Sequence, residues 1–354
     1  MRATRWIRRL CLLGVLLCFT VVVLGAYVRL TAAGLGCPDW PGCYGHLTPA
    51  GAQAADNAAA YPGRPLDTGK AWREMIHRYA ATTLGLLIIT LTALAIATRR
   101  ARIVSVPYAL ALFATVIVQG LLGMLTVTWQ LKPLIVTLHL LFGMTTLALL
   151  WWLALSLGRG GGGGARAPTR APVRAAHGLA LLGLAALVLQ IALGGWTSSN
   201  YAAVACPDFP TCQGAWWPHS DYRNAFVLWR GLNINYEGGV LDNPARVAIH
   251  LTHRIGALLA TAALALAALM TLRRRTPRTA RLAAAAVLAA LALQLSIGVS
   301  MVLRTFPLWL ATAHTAGAAL LLLATLALLR SLSRGASGAD LLVSVANPRK
   351  SRSP

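Results

Sequence analysis

Charge is scarce in this chain, and acid is scarcest of all. Only 12% of its 354 residues are charged and only 9 are Asp or Glu, while 57% are hydrophobic and the mean hydropathy is +0.64. So little polar surface excludes a soluble domain of this length, because it could not cover the outside. The apolar residues fall in runs of roughly 20, the length of helix that crosses ~30 Å of hydrocarbon. That pattern excludes a soluble helical bundle as well.

The shortage of acid leaves a net charge of +23, which on a soluble protein would suggest nucleic acid. Position argues against it. The basic residues gather in five places, Arg2 to Arg9, Arg99 to Arg102, Arg159 to Arg174, Arg273 to Arg281 and Arg330 to Arg352. These alternate with connections that hold nearly all the acids, which is the positive-inside pattern of a multi-pass membrane protein. A nucleic-acid stripe would lie on one folded domain, so no nucleic acid is expected and the surrounding partner is membrane lipid.

Apolar runs, basic flanks and Gly/Pro breaks predict an all-α membrane protein with eight transmembrane helices, near 7–28, 74–98, 106–128, 134–157, 175–197, 247–271, 282–304 and 308–330. The first run follows basic residues as a signal peptide would, but it is too long for that and is expected to stay as a helix. An even number of spans puts both termini on the cytoplasmic side. Two long outer loops follow, about 30–73 and 198–246. A Gly/Pro/Arg linker at 158–174 separates an N-terminal half, 1–157, from a C-terminal half, 175–330, with a disordered cytoplasmic tail at 331–354.

The halves read as two parallel four-helix repeats. Gly25 and Gly194 precede Cys37 and Cys206 at one spacing. Cys37-Pro-Asp-Trp-Pro-Gly-Cys43 answers Cys206-Pro-Asp-Phe-Pro-Thr-Cys212, and His77-Arg78 answers His253-Arg254. Gln119, Gly123 and His139 are spaced as Gln294, Gly298 and His314.

Intramembrane histidine is costly and marks function. His77, His139, His253 and His314 hold equivalent places near the outer ends of their helices, two per half. Two imidazoles facing each other inside a helical bundle can hold haem iron. Zinc fits less well, because no thiolate or carboxylate completes a tetrahedral set at that depth. Arg78 and Arg254 suit haem propionates or ordinary snorkelling to headgroups, and Arg29 and Arg304 are weaker candidates of the same kind. Cys11 and Cys18 lie inside the first span and are expected to be inert.

The halves also differ. Glu74-Met-Ile-His77 stands in the first where His250-Leu-Thr-His253 stands in the second, and residues three apart share a helix face. One half therefore sets a carboxylate beside its histidine, suited to moving protons or steadying positive charge, and the other sets a spare imidazole there. This suggests a reactive first site and a supporting cofactor in the second. The two Cys-x5-Cys pairs lie outside, where disulfides form; structural bridges are favoured over redox-active pairs.

The stretch Gly25-Ala-Tyr-Val-Arg-Leu-Thr-Ala-Ala-Gly-Leu-Gly-Cys-Pro-Asp-Trp-Pro-Gly-Cys resembles the bacterial haem A synthases, as do Glu74-Met-Ile-His-Arg and Gln119-Gly-Leu-Leu-Gly-Met-Leu-Thr-Val. The resemblance implies an eight-helix oxidoreductase of the bacterial inner membrane that converts the C8 methyl of haem O to a formyl group. It implies two hydroxylations with oxygen from water, His253 and His314 as ligands of a haem b cofactor, His77 and His139 around the substrate haem, and Glu74 as the catalytic carboxylate. Cysteine pairs in both outer loops match one bacterial subgroup. A haem O synthase and assembling cytochrome oxidase are the implied partners, and a homo-oligomer is compatible. From the residues alone the reading stops at a membrane haem protein, which leaves open an electron-transfer cytochrome or a haem transporter.

Overall fold

In a computed structural model, residues 2–54, 61, 63–158, 171–274 and 276–333 are described. Among them there is no strand, and eight helices are long and apolar enough to cross a membrane. These are α1 (Arg2–Leu30), α3 (Thr68–Ala97), α4 (Val106–Thr128), α5 (Pro133–Ser156), α6 (Ala171–Ser199), α8 (Asn243–Arg273), α9 (Arg278–Leu303) and α10 (Leu308–Ser333). Two short helices, α2 (Pro49–Ala54) and α7 (Tyr222–Ala225), lie in the long connections. Most of the expected linker and tail lies outside the described residues.

All eight expected spans are present, and their ends differ in an instructive way. Helix α3 begins six residues before its apolar run, because Asp67 caps it by accepting the Lys70 N–H at 2.9 Å. Helix α8 starts earlier too, with a proline in its first turn. Hydropathy marks the part of a helix that lies in hydrocarbon, whereas caps set where the backbone starts to coil.

In the first half α1 packs on α3 and α5, and α4 packs on the same two. In the second, α6 packs on α8 and α10, and α9 packs on the same two. Each set is a square in which the histidine-bearing helices, α3 with α5 and α8 with α10, stand on a diagonal. The squares join through α1 and α5 against α6 and α10. There the Trp151 indole N–H donates to the Leu323 carbonyl at 2.9 Å. Buried Leu, Ile, Val and Ala from all eight helices fill one continuous core, with two buried thiols, Cys11 and Cys18, inside it.

The connections repeat each other closely. Tight turns after α1 and α6 place Ala32 and Tyr201 at positive φ, and those after α4 and α9 do the same with Gln130-Leu131 and Thr305-Phe306. The hydrogen bonds match as well: Leu131 N–H donates to Thr126 and Phe306 N–H to Met301, each at 2.8 Å. Such backbone is unfavourable for residues with a Cβ, so its recurrence in matching places reflects how each turn must aim the next helix. Disulfides join Cys37 to Cys43 and Cys206 to Cys212.

The second long connection packs on the first square at one end of the bundle. Arg29 donates to the Ser198 carbonyl at 2.6 Å and lies 4.0 Å over the Tyr201 ring. Tyr236 N–H donates to the Gln130 carbonyl at 3.0 Å, and Glu237 lies 3.9 Å from Lys70. The second connection therefore reaches across onto the first square.

Candidate functional site

The four histidines sit between one and three turns inside the ends of their helices that face the long connections. Each is seated against a glycine on a neighbouring helix that lacks such a histidine. A Cβ on Gly25 would stand 3.0 Å from the His77 ring, one on Gly123 3.4 Å from His139, one on Gly194 3.2 Å from His253 and one on Gly298 3.1 Å from His314. Glycine at these four places lets an imidazole lie flush with the next helix and point along the diagonal.

Across the second square His253 and His314 face each other, with ring centroids 6.4 Å apart and planes at 72°. Two imidazoles that each give one nitrogen to the same metal ion have ring centres about 6 Å apart, since metal–nitrogen bonds are about 2.0–2.1 Å. In the first square His77 and His139 hold the corresponding places, each against its glycine. The Nδ1 atoms of His77, His139 and His314 are buried without a hydrogen-bond partner. Buried polar nitrogens left unmatched are uncommon, and a bound metal complex would account for them. Among the described residues no three His, Cys, Asp or Glu side chains converge on one point. A pair of facing imidazoles suits a haem, whose macrocycle supplies the remaining ligands.

Glu74 is buried and points at the first disulfide loop. One oxygen accepts the Cys37 N–H at 2.9 Å and the other accepts from Arg78 at 2.5 Å. His250, at the matching place, is buried with Nδ1 3.2 Å from the Ala202 carbonyl and its ring edge-on to Phe306. His314 thus meets His253, one turn further in, while His250 faces the turns.

Both arginines beside the histidines are committed to the disulfide loops. Arg78 donates to the carbonyls of Asp39, Pro41 and Gly42, the last at 2.6 Å. Arg254 donates to those of Asp208, Pro210 and Thr211, at 2.7, 3.4 and 2.8 Å. A propionate at either arginine would compete with these carbonyls. Within each loop an aspartate ties the end together, Asp39 through the N–H groups of Tyr44 and Gly45 and Asp208 through those of Gln213 and Gly214. Of the weaker candidates, Arg29 is taken up by Ser198 and Tyr201, and Arg304 is exposed at its helix end.

Three features escaped sequence reasoning. The glycines were visible only as repeat markers, because nothing local says what they touch. Gln190 stands 3.0 Å from His253 Nδ1, and Gln294 stands 3.3 Å from His314. Lys132, between α4 and α5, is buried with its ammonium 3.4 Å over the Trp229 ring, and it donates to the Gly231 carbonyl.

Fold and site together define a multi-pass helical membrane protein with one pair of facing histidines and a corresponding second pair, the latter flanked by a buried carboxylate. The profile of a family described as cytochrome oxidase assembly protein matches residues 8–326, and the chain belongs to that family. It is 41% identical over 327 residues to a "Heme A synthase" of Shewanella oneidensis, covering 90% of this chain and 93% of the relative. A "Heme A synthase" of Caulobacter vibrioides is 30% identical over 86% of this chain and 89% of its own length. One of Erythrobacter litoralis is 28% identical over 86% and 91%.

Proposed function

We propose that this protein is a haem A synthase, an oxidoreductase that converts the C8 methyl of haem O to a formyl group in two hydroxylations with oxygen from water. It is read as two parallel four-helix copies, 1–157 and 175–330, in the bacterial inner membrane with both termini cytoplasmic. The matching turns, disulfides and seated histidines support the two-copy reading. The observation that carries the function is the inequivalence of two otherwise matched centres: Glu74 stands beside one and His250 beside the other.

In this reading His77 and His139 hold the substrate haem and Glu74 is the catalytic carboxylate. Each hydroxylation releases protons as well as electrons. Glu74 takes up and passes protons, and the Cys37 N–H and Arg78 that bind it keep its oxygens in one place. Arg78 also ties the disulfide loop to α3 beside the site. His253 and His314 hold haem b, which supplies one-electron transfer when bound. The glycines hold all four rings along the diagonals without loss of helix packing.

The test is co-expression with a haem O synthase, purification, and identification of the extracted haems by chromatography and mass. Haem b together with haem A or a hydroxylated haem O is the expected result. Haem b alone, with haem O present in the same membranes, would overturn the synthase in favour of an electron-transfer cytochrome.

A further inference from the structure

Each disulfide loop lies along the side of a helix. In the first, a Cβ on Gly36 would stand 2.7 Å from the Lys70 main chain, and further along the Tyr79 hydroxyl donates to the Leu47 carbonyl at 2.5 Å. The loop therefore runs beside α3 from Lys70 to Tyr79, about two and a half turns, and covers Ala71, Met75 and Arg78. The same row of α3 continues as Thr82, Leu86 and Ile89, which are exposed and on a membrane-crossing helix face lipid. The second loop repeats the placement. It covers Val247, Leu251 and Arg254 on α8, and that row continues as exposed Leu258 and Ala262.

Depth follows from the far ends of these helices. Arg99 and Arg100 follow α3, and Arg273 ends α8; a span of about 20 residues counted back from there reaches Arg78 and His253. The arginines that hold the loops thus stand at the edge of the hydrocarbon. Backbone at that depth has to be matched within the protein, and in both loops much of it is. Arg78 and Arg254 each take three loop carbonyls. Asp39 and Asp208 each take two N–H groups, and Cys43 pairs with His46 as Cys212 pairs with Ala215. Pro38, Pro41, Pro207 and Pro210 have no N–H to match. The side chains turned outward are apolar at matching positions: Trp40 and Phe209, then Leu47 and Trp216, with Trp217 beside the last, are all exposed.

We propose that both disulfide loops are lipid-contacting wedges, seated where headgroups meet hydrocarbon on the membrane face that carries the long connections. The partner is phospholipid, and Trp40, Leu47, Phe209, Trp216 and Trp217 are the contact residues. Continuity carries the choice of lipid over a docked protein, because each loop stands on the very row of its helix that faces lipid one turn further in. Composition agrees with it. Tryptophan favours this depth, with an apolar body and one polar N–H, and the single acid inside each Cys-x5-Cys loop is turned inward onto N–H groups. The proposal is independent of the haem chemistry above.

The experiment places the photoreactive residue p-benzoylphenylalanine at single positions of the full chain, irradiates membranes of the expressing cells, and identifies the adducts by mass. Leu47 and Trp216, 81% and 74% exposed, are the test positions. Leu86 is the reference within the hydrocarbon. Asn243, exposed at the start of α8, is the reference in water, since ten residues of helix put it about 15 Å beyond His253 and clear of a headgroup layer of about 5–8 Å. Phospholipid adducts at Leu47 and Trp216 are expected in yields comparable with Leu86 and several-fold above Asn243. Yields no higher than at Asn243 would overturn the proposal, and so would capture of a protein in place of lipid. A second readout needs no foreign residue: in vesicles of lipid brominated near the glycerol, quenching of tryptophan fluorescence should fall in the double variant Trp216→Phe, Trp217→Phe. Quenching equal to the parent's would place the second loop in water and overturn its role.

Discussion

The carboxylate of Glu74 is bound at 2.9 Å by the main-chain N–H of Cys37, one half of the first disulfide. The acid on α3 and the loop above it are therefore one unit, closed by Arg78, which holds Glu74 and three loop carbonyls at once. Glu74→Gln keeps the size of the side chain and an oxygen for Cys37, but it cannot cycle a proton. We expect haem A formation to fall by about 10²–10⁴-fold, the range for losing a general acid–base group, with bound haem b unchanged. Haem extraction from the purified variant measures both at once.

The glycine seats predict a graded series. Gly25→Ala and Gly194→Ala place a methyl 3.0 and 3.2 Å from a histidine ring, whereas at Gly120 a methyl meets nothing within 4 Å. Gly25→Ala should lower haem A yield, Gly194→Ala should lower haem b content, and Gly120→Ala should change neither. The absorbance spectrum and the extracted haems of the three variants separate these effects. Equal loss in all three would mean that the glycines serve helix packing generally.

Acid should loosen the second disulfide loop. Asp208 is held below the usual carboxylate range by the Thr211 hydroxyl and by the N–H groups of Gly214 and Gln213. A carboxyl whose folded pKa is depressed contributes stability above its unfolded pKa of about 3.9, and the contribution is lost as pH falls through the lower folded value. Trp216 and Trp217 follow in the same loop, so their fluorescence reports the change. In Asp208→Asn the acid step in that fluorescence should disappear.

Lys132 clamps the long second connection to the first square. Its ammonium lies 3.4 Å over Trp229 and bonds the Gly231 carbonyl, and burial pushes its pKa down. A desolvated cation over an indole contributes up to about 2 kcal/mol. Lys132→Ala should release the segment around 226–239 while the eight helices stay folded. Limited proteolysis should then cut there several-fold faster, with helical circular dichroism unchanged.

Much of this molecule was legible in its residues because membranes impose simple rules. Hydrocarbon demands long apolar helices, charge asymmetry orients them, and buried histidine is too costly to be incidental. Hence the eight spans, the four histidines, the matched cysteine pairs and the contrast of Glu74 with His250 could be read in one dimension. The helix starts at Thr68 and Asn243 could not, because caps lie outside the apolar runs.

What the linear order could not settle is which side chains meet. Arg78 and Arg254 carry the charge for a propionate, yet the folded loops present them with carbonyls that bind first. Gln190 is an ordinary polar residue on an apolar helix until α6 packs on α8 and brings it to His253. The sequence by itself determined the helices and the chemistry available within them, since both depend on local composition and spacing. Only the tertiary structure decided how that chemistry is aimed, because a histidine ring's direction depends on the helix beside it and on whether that helix carries a glycine there.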